Sequence, residues 1–429
     1  MPSSPSPPVA RVRRSRLSQR ELTELTHLLA WRRPAGAPSL VAALTVPRQL
    51  HVLMVGWEFP PFHSGGLGVH SYELVKELGR MGHKVTFLTP FPGPFTPVDG
   101  TTFIHPGDPR QGDVPYPGAY EISPGTIEPG TMEAYNDWVA SRIALGKFDV
   151  VHVHDWFGTV GARDLAKSLG LPLVMTVHST EYDRSLGHPW QEILEREQAG
   201  LDAADRVIAV SRHLKEQLVE RYHASPDKVK VIYNAVRPSS RLSRLEQSKR
   251  LVLYLGRLAA MKGVDTFLRA AARIIAFDDE TLFVVAGEGP EYPRLVTLAA
   301  HLGIGDRVLF LGRVTEDERA VLLSSASVFV LPSVVEPFGI AALEAMAAGV
   351  PAIVSKTSGV AEISGAVFAV DFWDIDEFAS RIEEVLQYPA LRRAMGEVGR
   401  WEALREGWPE RAIQTVGVYA ELVVRRSDG

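Results

Sequence analysis

Two glutamates punctuate an otherwise uncharged stretch, Ser333-Val-Val-Glu336-Pro-Phe-Gly339-Ile340-Ala-Ala-Leu-Glu344-Ala-Met-Ala-Ala-Gly349-Val-Pro351. Pro337 forces the residue before it into extended backbone, so Glu336 belongs in a loop at the end of the short apolar strand Val328-Phe-Val-Leu331. A helix then opens near Gly339 and stops at Gly349, where Pro351 bars its continuation. Glu344 is the one charge on a helix that is apolar all round, hence buried, and a buried carboxylate requires a partner. The amides of Gly339 and Ile340 point out of the helix start with the positive end of the dipole behind them. One loop therefore offers an anion seat and a carboxylate, with a second carboxylate further along, which suits a phosphate held beside several hydroxyl groups. The competing reading is a helix with a capping glutamate and one salt bridge.

Other polar groups fall at the ends of predicted strands. Arg257 and Lys262, in Leu255-Gly256-Arg257-Leu-Ala-Ala-Met-Lys262-Gly263, supply a planar fork and a point charge across a turn, a diphosphate clamp unless they are two solvated cations. Gly65 and Gly66 permit close backbone approach before a helix, an arrangement suited to a diphosphate. It is not a G-x-G-x-x-G directly after the strand, so a nicotinamide cofactor is not expected. His154 and Asp155 close Val151-His152-Val-His154-Asp155-Trp156, and His178 closes Thr176-Val-His178-Ser-Thr-Glu181. Alternation puts His152 and His154 on one strand face. No third metal ligand is placed by spacing, and hydrogen bonding to a hydroxyl is the favoured role, against that of a satisfied core histidine. Gly287 and Gly289 make one more glycine-rich strand end. Asp374 and Asp376 resemble a metal-binding aspartate pair but fit a helix start better, so no catalytic metal is expected.

Positioning these groups takes many strands. Apolar runs fall at 51–56, 84–88, 150–153, 173–177, 207–210 and 229–233, and again at 251–255, 282–286, 308–311, 328–331, 352–354 and 367–370, with helical patterns between most of them. Such alternation, with strands apolar on both faces, means parallel sheets covered on both sides. Residues 90–131 are dense in Pro and Gly and predict little periodic structure, and 238–247 form a polar connector. The domains expected are a basic extension over 1–48, an α/β domain over 49–240, a second over 241–400, and a C-terminal helix over 401–429. Two doubly wound domains face each other across a cleft at the C-terminal strand ends, where open sheets bind ligands.

Composition narrows the classes. A hydrophobic content of 45% and a charged content of 23% describe a globular protein. No apolar run reaches the ~18 residues of a membrane span. The absence of Cys excludes disulfides, thiolate metal sites and cysteine nucleophiles. A net charge of −5 gives no nucleic-acid footprint, although residues 1–48 hold eight Arg, no Lys and two Glu, leaving −11 on the remainder. That start is read as a loose extension on a cytoplasmic protein, with an organellar transit peptide as the alternative.

Assembled in order, these motifs resemble a GT-B glycosyltransferase, more narrowly a retaining enzyme of glycosyltransferase family 4 with glycogen- and starch-synthase-like features. The resemblance covers residues 50 to about 425. Gly65-Gly66-Leu67 is similar to the family's glycine loop, and His154-Asp155-Trp156 to the His-Asp-Trp of glycogen and starch synthases. The resemblance implies that His178 lies near the donor sugar's 6-hydroxyl and that Arg257 and Lys262 neutralise the donor diphosphate. It implies Glu336 at the sugar's 3- and 4-hydroxyls and Glu344 on the nucleotide ribose. The first α/β domain would then face the acceptor and the second would hold the nucleotide sugar, ADP-glucose or UDP-glucose, with no cofactor. His63-Ser64 stands where glycogen synthases carry Lys-x, and Glu344 follows the family-4 pattern. An α-glucan acceptor is favoured by His178-Ser-Thr-Glu-Tyr, and a lipid-linked or cell-surface glycan with peripheral membrane contact is the alternative. From other classes, a non-hydrolysing sugar-nucleotide epimerase and a catalytically silent sugar-nucleotide-binding protein remain as rivals.

Overall fold

The computed structural model describes residues 49–61, 65–90, 93–106, 129–237 and 250–427. The extension over 1–48, the His63-Ser64 pair and the connector over 238–247 lie outside the described residues.

The first half runs β1 (His51–Val55), α1 (Gly66–Arg80), β2 (Lys84–Leu88), β3 (Thr101–Ile104), α2 (Pro129–Ala140), β4 (Val150–His154), α3 (Thr159–Leu169), β5 (Leu173–Val177), α4 (Gln191–Ala203), β6 (Arg206–Ala209), α5 (Arg212–Tyr222) and β7 (Val229–Val231). Its strands form one parallel sheet in the order β3-β2-β1-β4-β5-β6-β7. β1, β4 and β5 are buried almost throughout because helices cover both faces, which explains their unbroken apolar runs.

The second half runs β8 (Arg250–Leu255), α6 (Val264–Ile275), β9 (Thr281–Ala286), α7 (Tyr292–His301), β10 (Val308–Gly312), α8 (Glu316–Ser325), β11 (Val328–Leu331), α9 (Ile340–Ala347), β12 (Ala352–Ser355), β13 (Phe368–Val370), α10 (Ile375–Gln387), α11 (Pro389–Leu404) and α12 (Trp408–Ser427). These strands make a second parallel sheet in the order β10-β9-β8-β11-β12-β13. In both sheets the strand order reverses direction beside the first strand, so β1/β4 and β8/β11 are the switch points where a crevice opens.

Two expectations need correction. The stretch over 90–131 carries β3 and the start of α2. β3 is a half-exposed edge strand, Thr-Thr-Phe-Ile, so it lacks the apolar run that marks a central strand. The single helix expected from Trp401 onward is two helices. Gly407 breaks them, and its amide donates to Glu410 Oε2 at 2.8 Å, a cap on the start of α12.

α12 does not stay with the half that precedes it. Its Val416, Tyr419 and Leu422 are buried in one cluster with Val52 and Met54 of β1, Val150 of β4 and Leu74 of α1. Tyr419 is fully enclosed, and its hydroxyl meets Nδ1 of His152 on β4 at 2.6 Å.

Candidate active site

Glu336 and Lys262 arrive from successive strand ends of the second sheet and meet. Lys262 Nζ donates to Glu336 Oε2 at 2.8 Å, and the Ser333 hydroxyl donates to the same oxygen at 3.1 Å. The backbone fastens the two loops together, with the Val334 amide on the Met261 carbonyl at 2.8 Å. Gly263 holds φ +63, and a Cβ there would fall 2.0 Å from the Pro332 carbonyl oxygen, so only glycine lets the loops lie this close. Arg257 stands exposed beside them, and among the described residues no carboxylate pairs with its guanidinium.

α9 begins as the sequence reading requires. Gly339, at φ +98, turns the chain into the helix, and the Gly339, Ile340 and Ala341 amides meet no acceptor among the described residues. These free donors at a helix N-terminus form an anion seat. The glycine loop of the first half faces it: a Cβ on Gly66 would lie 3.2 Å from Ile340 Cδ1. Gly65, Gly66, Gly339 and Ile340 thus come together across the two halves. The start of α1 is partly taken, because Glu58 Oε2 accepts the Gly68 amide at 3.1 Å. The expected diphosphate seat therefore lies open on the α9 side, while the α1 side already holds a carboxylate.

Gly287 and Gly289 serve the loop carrying Arg257. At φ +145 and +159, they would place a Cβ 1.9 Å from the Gly256 carbonyl and 2.2 Å from that of Leu258. The Leu258 amide bonds the Glu288 carbonyl at 2.8 Å, so these glycines fix the Arg257 loop by backbone contact.

Glu344 has its required partner, Arg319 of α8, with which it forms a close ion pair. Burial pushes its carboxyl pKa up against the pull of Arg319, and the Arg319 guanidinium is held above its usual range by that same carboxylate despite burial. Asp374 accepts the Glu377 amide at 2.9 Å as the N-cap of α10, and Asp376 pairs with Arg273 on the surface, so the two aspartates are divided between structural tasks.

The first half contributes histidines. His154 Nδ1 and His178 Nε2 are 3.2 Å apart, and His70 of α1 packs edge-on against both rings at centroid distances of 5.4 and 4.5 Å. One ring nitrogen from each of His70, His154 and His178 lies within 4.8 Å of the others. His152 points elsewhere, to Tyr419 and to the Thr176 hydroxyl at 2.7 Å. His152 and His154 do share a face as strand alternation implies, with ring centroids 4.3 Å apart, but the nitrogens that gather belong to His70, His154 and His178. Asn234 Oδ1 accepts a hydrogen bond from His70 Nδ1–H at 2.7 Å. Burial lowers all these imidazoles, His70 to about 4 and His152 to about 3, with neighbouring histidine charge adding to the effect on His152, His154 and His178.

Asp155 sits at φ +54 and accepts the His178 amide at 2.6 Å, which fixes the strand end that presents His178. Burial raises its carboxyl to about 7, against the opposing charge of Arg184. Arg184 in turn bridges Glu181 and Glu197 and lies over the Trp156 ring. His70, Asn234, Arg319 and Arg184 escaped the sequence reading. Only His70 carried a usable signal, one helical turn beyond Gly66 on the same face of α1.

Comparison with known proteins agrees with this architecture. Residues 64–240 match the model described as Glycosyltransferase Family 4, and residues 238–401 match that described as Glycosyl transferases group 1. An uncharacterized glycosyltransferase of Methanocaldococcus jannaschii is 32% identical over 73% of this chain and 82% of its own length. A glycogen synthase of Mycobacterium tuberculosis is 29% identical over 88% of this chain and 96% of its own. Among solved structures, sucrose-phosphate synthase from Thermosynechococcus elongatus superposes with a TM-score of 0.73 at 24% identity, covering 88% of this chain and all of that one. The fold is GT-B, as the two facing parallel sheets indicate.

Proposed function

Since the chain belongs to glycosyltransferase family 4, among the group 1 glycosyltransferases, we propose that it moves glucose from a nucleoside diphosphate to a hydroxyl of an α-glucan with retained anomeric configuration. The observation that carries this reading is the cluster of the Lys262–Glu336 pair with the open amides of Gly339 and Ile340, facing the glycine loop at Gly66. As the donor breaks, negative charge grows on the diphosphate while the sugar becomes oxocarbenium-like. Arg257, Lys262 and the α9 amides stabilise that charge in place, an electrostatic role. Glu336 holds the sugar's 3- and 4-hydroxyls and is itself oriented by Lys262. His178, held by Asp155, accepts or donates at the 6-hydroxyl. Glu344 meets the ribose from its Arg319 pair. Retention follows when the acceptor enters on the leaving group's face and a diphosphate oxygen takes its proton. The glycogen synthase relative supports the glucan acceptor.

The test is incubation with labelled ADP-glucose and UDP-glucose, with and without glucan, followed by NMR assignment of the new anomeric centre. Glucan-dependent incorporation as the α-anomer is the expected result. Epimerised donor without acceptor, or saturable binding without turnover, overturns it. Transfer is expected to survive exhaustive chelation, and its loss to EDTA with recovery on Mg²⁺ or Mn²⁺ would show that the clamp alone is insufficient.

A further inference from the structure

His70 of α1 and the strand-end histidines His154 and His178 have a property that donor binding does not use. His70 is buried, and among the described residues its Nε2 atom has no hydrogen-bond partner. A buried polar nitrogen left orphaned against two other imidazoles calls for an explanation, and a ligand shared by the three is the simplest. The chemistry of the set is specific: three imidazoles, with no carboxylate or thiolate among them, gathered with one nitrogen from each inside 4.8 Å. A tetrahedral ion with metal–nitrogen bonds of about 2.0–2.1 Å requires ligand nitrogens roughly 3.3 Å apart. His154 Nδ1 and His178 Nε2, 3.2 Å apart, already meet that spacing. His70 must approach by on the order of an ångström, a side-chain rotation. His70 is also oriented for the task, since its Nδ1–H is held by the Asn234 carbonyl oxygen, leaving the Nε2 lone pair as its free ligand atom. His178 is half-buried, so the cluster is reached from the cleft on that side.

We propose that His70, His154 and His178 form a binding site for a late first-row divalent cation of the zinc class, with Asn234 as the positioning residue. Imidazole nitrogens favour such ions over Mg²⁺ or Mn²⁺, which seek oxygen. Three histidines leave one coordination position open, on the His178 side. On binding, whichever of His154 and His178 donates the hydrogen bond between them shifts its N–H to its other ring nitrogen by tautomer exchange, so each neutral imidazole gives a lone pair to the ion with no net loss of a proton. The consequence for transfer rests on the role given to His178 above: a metal-bound His178 cannot also serve a sugar hydroxyl, so the ion inhibits where chelation leaves turnover intact.

The experiment is calorimetric titration of Zn²⁺ into chelator-stripped full-length protein, with Co²⁺ absorption as the coordination readout. One Zn²⁺ per chain and a tetrahedral Co²⁺ spectrum are expected. His70→Phe should abolish both, and Asn234→Ala should weaken Zn²⁺ about 10–100-fold, the usual cost of losing the group that orients a ligating histidine. His178→Ala, at a half-buried position, provides a second ligand deletion should His70→Phe fail to fold by circular dichroism. Zn²⁺ should also lower kcat/KM for donor, with EDTA restoring it. Absence of heat, or equal binding by wild type and both ligand variants, overturns the site. Calorimetry reads the ion and not sugar transfer, so that failure would leave the transferase reading standing, and failed transfer with intact binding would leave the site standing.

Discussion

At the scale of residues, the charged groups should separate by when they act. In the proposed mechanism Arg257 and Lys262 meet charge that grows as the diphosphate departs, so Arg257→Ala and Lys262→Ala should each lower kcat about 10²–10³-fold, a loss of ~3–4 kcal/mol. Unchanged kcat at saturating donor would remove both from the mechanism. Glu344→Gln should act mainly on donor KM, because the role proposed for it holds the ribose equally in ground and transition states. The Arg319 pair adds a second effect: the variant leaves a buried guanidinium without its counter-charge, so its denaturation midpoint should fall as well. Steady-state kinetics alongside urea unfolding distinguishes the two. A pH effect comes from outside the site. His83 Nδ1 accepts the Leu50 amide at 3.1 Å, and burial holds its pKa below 6.5. A folded pKa below the unfolded one means the unfolded chain binds more protons, so this contribution is complete above 6.5 and is lost as pH falls through the folded value. The urea midpoint of wild type should therefore drop more steeply below that pH than that of His83→Leu.

At the scale of elements, glycines transmit the site's geometry. Gly287→Ala would force a Cβ against the Gly256 carbonyl and shift the loop bearing Arg257, so it should lower kcat while leaving the circular dichroism spectrum native. Wild-type kinetics in that variant would mean that the loop contact is dispensable. What the sequence made legible follows the same physics. Central strands such as β4, β5 and β11 are apolar on both faces and could be found by composition alone. β3 could not, because an edge strand shares its surface with solvent. The loop positions of Glu336, Lys262 and Gly339 were legible because Pro337 and the glycines fix backbone near them. The partner of Glu344 was required by burial, yet its identity as Arg319 depends on how α8 packs against α9, which no local pattern states. The histidine cluster was half-legible: His154 and His178 end strands, while His70 joins them only through the placement of α1 against β4 and β5.

At the scale of the molecule, polar and ring contacts join the two halves. Glu362 of the second half accepts the Arg212 and His213 amides, both at 2.8 Å, and so caps α5 of the first, and Tyr233 meets Phe338 at a ring-centroid distance of 6.2 Å. A nucleotide sugar contacting both sides should favour a more closed form, read as a smaller radius of gyration in solution scattering at saturating donor. An identical profile with donor bound would argue for a fixed cleft. α12 constrains that motion, since it leaves the second half and buries Tyr419 against His152 of the first. The same helix imposes an order on biosynthesis. The ribosome delivers β1, β4 and α1 early, but the apolar surface they share with Val416, Tyr419 and Leu422 stays open until α12 emerges. The first half is thus synthesised first and completed last, so the nascent chain carries an uncovered sheet face throughout translation of the second half. A ribosome-bound chain stalled before Trp408 should accordingly recruit chaperones that the released, full-length protein does not.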